Sequence, residues 1–205
     1  MKRSILLAAA LVLAGSVLRA DDAKALPTGT FKFDTAHTTL GFEVTHLVIS
    51  TVTGKFDKFD GTITIKSDKD ISVAASAETA SIDTGNAMRD AHLRGDAADK
   101  PKDDFFEAAK FPQLTFKSSK VTLDGDKLTV TGDLTIHGVT KTVTFDGKYR
   151  GAVNAFGGEH IAASLRTTIS RKDFGLKFAY VIDAGPVVGD AVDLVLNVEA
   201  AEAKK

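Results

Sequence analysis

The residues able to do chemistry are few. The chain holds five histidines, at positions 37, 46, 92, 137 and 160, and no cysteine. Without cysteine there are no disulfides, thiolate nucleophiles or sulfur metal ligands. The densest polar cluster is Arg89-Asp90-Ala91-His92. A guanidinium and an imidazole this close can meet a phosphate or another electron-rich oxygen, with Asp90 holding one of them in place. The same residues read more readily as a structural network. Arg171 and Asp173 present a similar choice, between a clamp for an anionic group and an internal salt bridge. His37 and His46 flank a strand-like run, as ligand contacts or as turn formers. No two histidines have the close i, i+2 or i, i+4 spacing of a metal site, so no metal is expected. There is no Gly-x-Ser-x-Gly elbow and no glycine-rich phosphate loop. Asp103-Asp104 reads as a solvated helix cap, so the expectation is a protein without catalytic residues or cofactor.

The elements that must position these residues read mostly with period two. Val192, Leu194, Leu196 and Val198 alternate with Asp193, Val195, Asn197 and Glu199, and Leu128–Ile136, Val143–Phe145 and Thr62–Lys66 repeat the pattern. Such alternation gives each strand one buried and one wet face. Asp124-Gly125, His137-Gly138, Asp146-Gly147, Phe156-Gly157-Gly158 and Gly185-Pro186 read as turns. The runs predict eight or nine strands, near 30–34, 39–45, 51–66, 71–80, 114–123, 127–136, 140–150, 160–170 and 191–199. Short spacing favours antiparallel pairing, and eight such strands close naturally into an all-β barrel wide enough for one small ligand. Residues 85–112 break the pattern and predict a one- or two-helix excursion over one end, closed by Pro112.

The first twenty residues stand apart. Lys2 and Arg3 precede an uncharged run from Ile5 to Val17, and Asp21-Asp22 follows. Basic, then apolar, then polar is the layout of a secretory signal peptide, and the run is too short to span a bilayer. Cleavage falls between 20 and 25, which leaves 21–205 as a single domain. Removing Lys2, Arg3 and Arg19 takes the formal net charge of −1 three units further negative. This gives no long-range attraction to nucleic acid or to an anionic membrane. An exported chain without disulfides must rely on its core, and this one is long enough to build it.

The motifs Phe33-Asp34-Thr35-Ala36-His37, Phe42-Glu43-Val44-Thr45-His46, Gly54-Lys55-Phe56 and Ser81-Ile82-Asp83-Thr84-Gly85-Asn86 occur in order. Arg89-Asp90-Ala91-His92-Leu93-Arg94, Phe105-Phe106, Gly132–Thr140 and Arg171-Lys172-Asp173-Phe174-Gly175 follow. Together they resemble the YceI-like domain, a family of exported, lipocalin-like polyisoprenoid-binding proteins. The resemblance runs from Phe31 to Glu199. It implies a barrel that holds an isoprenoid chain, such as a polyprenyl phosphate or a quinone tail, in the periplasm, and it suggests a homodimer. Two departures stand out. Residues 95–103 form a longer step to the paired phenylalanines, and Phe31 occupies a position where an indole is common.

The composition agrees with a greasy guest. Thirteen Phe, two Tyr and no Trp supply bulk with few polar tips to satisfy, as an ordinary β core also would. The segment Ile71–Ala77 is small on both faces, so Val73, Ala75 and Ala77 are expected to line a tunnel, or else to pack closely against a loop. Phe42, Phe105, Phe106 and Phe174 complete the expected chain contacts. His37, His46, Arg89, Asp90, His92, Arg171 and Asp173 are the candidates for the head group. The leading expectation is non-enzymatic transport or storage of an isoprenoid lipid. The alternatives are an enzyme acting on the head group of that lipid and an interaction module whose barrel is filled by its own side chains.

Overall fold

The computed structural model describes residues 26–203. The signal-peptide reading of residues 1–20 lies outside them. Among the described residues, no helix is long and apolar enough to cross a membrane.

The chain forms strands β1 (Gly29–Phe33), β2 (Thr39–His46), β3 (Ser50–Phe56), β4 (Phe59–Ser67), β5 (Asp70–Glu78) and β6 (Ile82–Asp83). Helix α1 (Ala87–Arg94) follows. Then come β7 (Gln113–Asp124), β8 (Lys127–Ile136), β9 (Val139–Ala155), β10 (Gly158–Ser170), the short hairpin β11 (Val181–Ile182) and β12 (Gly185–Pro186), and β13 (Val188–Glu202). Strands β1, β4, β5, β7, β8, β9, β10 and β13 pair antiparallel in that order, and β13 pairs back to β1. The result is a closed eight-stranded barrel. Closure leaves the ring without a free edge for aggregation.

Strand β13 serves two neighbours along one edge. Ala200, Ala201 and Glu202 pair with Phe33, Lys32 and Phe31 of β1. Further toward its start, Asn197 to Val188 pair with Thr39 to His46 of β2. Both neighbours run antiparallel to β13, so β1 and β2 are successive lengths of one wall, interrupted by the Asp34–Thr38 turn. Strands β3 and β6 extend the sheet beyond β2.

Three sequence-based boundaries shift. The run 51–66 is two strands, bent at Asp57-Lys58, where backbone N–H groups turn aside to Ser81. Period-two patterning continues through this bend and so does not reveal it. Asp146-Gly147 is not a turn but lies inside β9. A Cβ at Gly147 would stand 1.9 Å from the Ser164 carbonyl oxygen, so glycine is needed there for close strand approach. The excursion has one helix, not two. Asn86 caps α1 by accepting from the Arg89 N–H, and Gly95 ends it with φ of 83°. Residues 103–110 are turns, because the Phe106 and Ala108 N–H groups donate to Leu93 and Arg94 carbonyls at the end of α1. Those carbonyls would otherwise be orphaned.

Two buried apolar clusters form plugs in the barrel interior. One gathers Phe31, Ile65, Tyr149, Ile161 and Ala200. The other gathers Leu134, Ile136, Phe174 and Leu176, with Phe106 against them. Phe31 and Phe174 are fully buried, and each such side chain contributes roughly 1.5–3 kcal/mol.

Candidate functional site

A cavity of about 190 Å³ lies against both plugs, which lend Ile65, Tyr149, Ile161, Leu134 and Ile136 to its wall. Its wall follows from alternation: Ile63 and Ile65 of β4, Val73, Ala75 and Ala77 of β5, and Leu114 and Phe116 of β7 supply one side. Val130, Leu134 and Ile136 of β8, Phe145 of β9, Leu165 of β10 and Leu194, Leu196 and Val198 of β13 supply the other. Ser76, Thr115 and Tyr149 bring the only side-chain polar atoms among the described lining residues, and none of the lining residues is charged. Burial raises the Tyr149 hydroxyl pKa above its ordinary value, with the Glu159 charge adding to the shift. The interior is therefore hollow and apolar, which removes the filled-barrel reading.

The hollow has a sequence cause. Ala75 pairs with Gly61 on one side and Phe116 on the other, so the β4–β5 wall is shallow there. The Phe33 ring lies over Gly61, where an added Cβ would come within 2.3 Å of it. Phe42 covers Gly54 in the same way. These rings substitute for the missing side chains of the glycines opposite them.

The four candidate phenylalanines, Phe42, Phe105, Phe106 and Phe174, lie outside the cavity wall. Phe105 stacks on Phe178 with ring centroids 5.0 Å apart, and His92 meets both rings edge-on. Phe106 and Phe174 build the plug on the excursion side. Phe42 packs 6.1 Å from Phe56, which does line the cavity, and Phe106 meets the same ring at 6.1 Å. Phe105, Phe106 and Phe174 form a supporting layer on the excursion and its plug, while Phe42, paired with Leu194, lays its ring over Gly54 beside Phe56.

The polar candidates do not converge on one point. Arg89 donates from Nε to Thr84 Oγ1 at 2.7 Å and from Nη2 to the Thr84 carbonyl at 2.8 Å. Buried Asp90 accepts from the Thr84 N–H at 3.0 Å and from its hydroxyl. Thr84 thus pins the start of α1 to the end of β6. His92 Nε2 sits 2.8 Å from Asp104 Oδ2, and His137 Nε2 sits 2.8 Å from Glu107 Oε2, which fastens the 95–112 segment to α1 and to the β8–β9 turn. Lys177 adds a contact to Asp103 at 3.1 Å. Asp103 and Asp104 therefore anchor the excursion and do not cap a helix.

Arg171 is 4% exposed, and its partner is Asp190 at 2.9 Å rather than Asp173. Its guanidinium also donates to the Gly189 carbonyl at 2.9 Å and to the Leu176 carbonyl at 3.0 Å. Desolvation lowers its pKa, partly offset by the Asp190 charge, and an arginine stays charged under such a shift. Asp173 is exposed on the surface. His46 ends β2, and its carbonyl accepts from Ser50. His37 is exposed on the Asp34–Thr38 turn, 2.8 Å from Asp34. The sequence alone does not disclose these partners, since Asp190 and Gly189 are distant from Arg171 along the chain.

The description of the YceI-like domain family matches residues 31–200. Protein YceI of Escherichia coli O157:H7 is 37% identical over 212 residues, covering all of both chains. The chain belongs to the YceI-like family. Among solved structures, the YceI protein of Campylobacter jejuni is 34% identical with a TM-score of 0.65, over 83% of this chain and 96% of that one. A polyisoprenoid binding domain from Saccharophagus degradans shares the fold at 17% identity, with a TM-score of 0.61 over 84% of this chain and 98% of its own.

Within this YceI-like barrel, the 95–103 segment runs from the C-cap of α1 toward the Asp103–Lys177 contact. Most inward residues of β8 and β13 were legible as the apolar halves of alternating runs. Phe33 and Gly61 were missed as a pair, because ring-over-glycine contacts join residues 28 positions apart and leave no local signal.

Proposed function

We propose that the protein is a non-enzymatic carrier or reservoir that holds the chain of an isoprenoid lipid inside its barrel. The observation that supports this reading is the apolar cavity of about 190 Å³, with no charged side chain among its described lining residues. At about 10–15 Å³ per water-sized group, this space takes on the order of a dozen carbon-sized groups. Each buried methylene contributes roughly 0.8 kcal/mol, so a guest of that size gains on the order of 10 kcal/mol before the costs of ordering and association. A longer chain leaves its remainder, with the head group, outside the apolar walls. Val73, Ala75 and Ala77 touch the chain in this reading, and the Arg89–Asp90–His92 group braces the excursion that covers one plug.

Among the described residues the wall carries no charged side chain, and its ionisable group, Tyr149, has its pKa raised by burial, which supports binding without reaction. The Saccharophagus domain, described as polyisoprenoid binding, supports the choice of guest. Export of the chain by residues 1–20 to the periplasm gives the carrier its task, because a free isoprenoid lipid does not cross an aqueous compartment. Organic extraction of the purified protein followed by mass spectrometry is expected to yield an isoprenoid in about one-to-one ratio. Extracts free of isoprenoid, from protein expressed with its natural lipids available, refute the reading.

A further inference from the structure

On the outer wall, away from the cavity, the β1–β2 turn gathers metal-ligating side chains. Asp34, His37 and Glu199 each present a ligand atom, and these atoms lie within 4.8 Å of one another. His37 Nδ1 is 2.8 Å from Asp34 Oδ2, and His160 Nδ1 is 3.2 Å from Glu199 Oε1. None of the four residues lines the hollow.

Register brings them together. Val198 faces the cavity and Ala200 the adjoining plug, so Glu199 between them faces outward. Ile161 faces inward, so His160 faces outward, and it pairs with Ala201, two places along β13 from Glu199. The turn residues are fixed onto the same point. The Asp34 N–H donates to the Glu199 carbonyl at 2.9 Å. Thr38 Oγ1 donates to that carbonyl at 2.8 Å and accepts from the Glu199 N–H at 3.0 Å. Asp34 Oδ1 accepts from the Ala36 N–H at 2.8 Å, which leaves Oδ2 turned toward His37. Two strands and a buried threonine thus hold the donor backbones before any ion arrives.

We propose that Asp34, His37 and Glu199 bind one divalent ion of the zinc type, with His160 orienting the Glu199 carboxylate. One imidazole nitrogen and two carboxylates form a mixed nitrogen–oxygen donor set, which suits zinc rather than calcium or magnesium. Metal–ligand distances of about 2.0–2.2 Å in a tetrahedron place donors roughly 3.3 Å apart. The 2.8 Å Asp34–His37 contact therefore opens by about half an ångström as the ion replaces the proton between them, a movement the exposed His37 ring can make. The fourth position is left to water. His160 has the outer-sphere place that commonly fixes a ligating carboxylate. The ion would sit where the edge of β13 passes from β1 to β2, and so would fasten the turn to the strand that closes the barrel.

The test is calorimetric titration of zinc chloride into the full chain, freed of affinity tag and treated with chelator. One saturable site is expected, with dissociation in the micromolar range, and no heat from calcium chloride. His37→Ala, at an exposed position that leaves the fold intact, should weaken binding by at least about tenfold, and Glu199→Gln should do likewise. His46→Ala serves as the control and should bind like the parent. Excess zinc should raise the melting temperature of the parent by about 2–4 °C and leave that of His37→Ala unmoved. No saturable binding, or equal binding by His37→Ala and the parent, overturns the proposal. Both outcomes are independent of whether the barrel holds a lipid.

Discussion

Replacing Ala75 by phenylalanine probes the hollow at its shallowest wall. Ala75 lines the cavity between Gly61 and Phe116, while its neighbour Ala74 is exposed on the outer face. The substitution adds six ring carbons. At about 10–15 Å³ per water-sized group they occupy roughly 60–90 Å³, between a third and a half of the 190 Å³ available. A guest that loses six carbon-sized contacts gives up on the order of 5 kcal/mol. Sliding outward recovers part of this, so affinity should fall by at least about tenfold, which is roughly 1.4 kcal/mol. The protein itself gains apolar contacts, and its melting temperature should hold or rise. The assay pairs displacement of an apolar fluorescent reporter with quantitative extraction, and Ala74→Phe is the control. If folded Ala75→Phe keeps the parent's reporter affinity and lipid content, the β5 wall does not touch the guest and the reasoning from the cavity fails.

Two further results follow from the polar framework. Arg171→Met should destabilise the fold by about 2–4 kcal/mol in urea unfolding, because it orphans the Leu176 carbonyl and the Gly189 carbonyl of β13. Stability should also fall in acid through Asp193. The Thr168 hydroxyl, then the Arg166 guanidinium, hold its pKa below the ordinary carboxylate value of 3.8. A carboxylate with a lowered folded pKa stabilises the fold above its unfolded pKa, and the contribution disappears as pH drops through the folded value. The loss should therefore begin near pH 3.8 and grow below it. Asp193 is partly exposed, so the effect is under about 1 kcal/mol. Asp193→Asn should flatten that part of the stability–pH curve, and an unchanged curve would count against the assignment.

The barrel was legible because period-two patterning and turn residues are local signals. Leu194, Leu196 and Val198 announce their inward face within five residues, and Val73, Ala75 and Ala77 announce a small one. The head-group candidates were less legible because their partners are set by topology. Arg171 reads as paired with Asp173 two residues away, yet β13 brings Asp190 to it. Asp103-Asp104 reads as a helix cap, yet the chain beyond Phe106 turns back through Glu107, with φ of 43°, and both carboxylates find partners elsewhere. The metal-ligating group was hidden for the same reason. His37 and His160 are 123 positions apart, so spacing along the chain carries no trace of their approach to Glu199.

The ring is sealed by Phe31, Lys32 and Phe33 against Glu202, Ala201 and Ala200, the two extremities of the folded domain. Contacts so remote in sequence slow folding, because a long loop must be ordered before they form. A chain delivered N-terminus first thus holds β1 in waiting until its last strand emerges, and the greasy interior stays open to chaperones or guests throughout. Loss of a few residues near position 200 would strip β1 of its partners and leave the ring unable to shut.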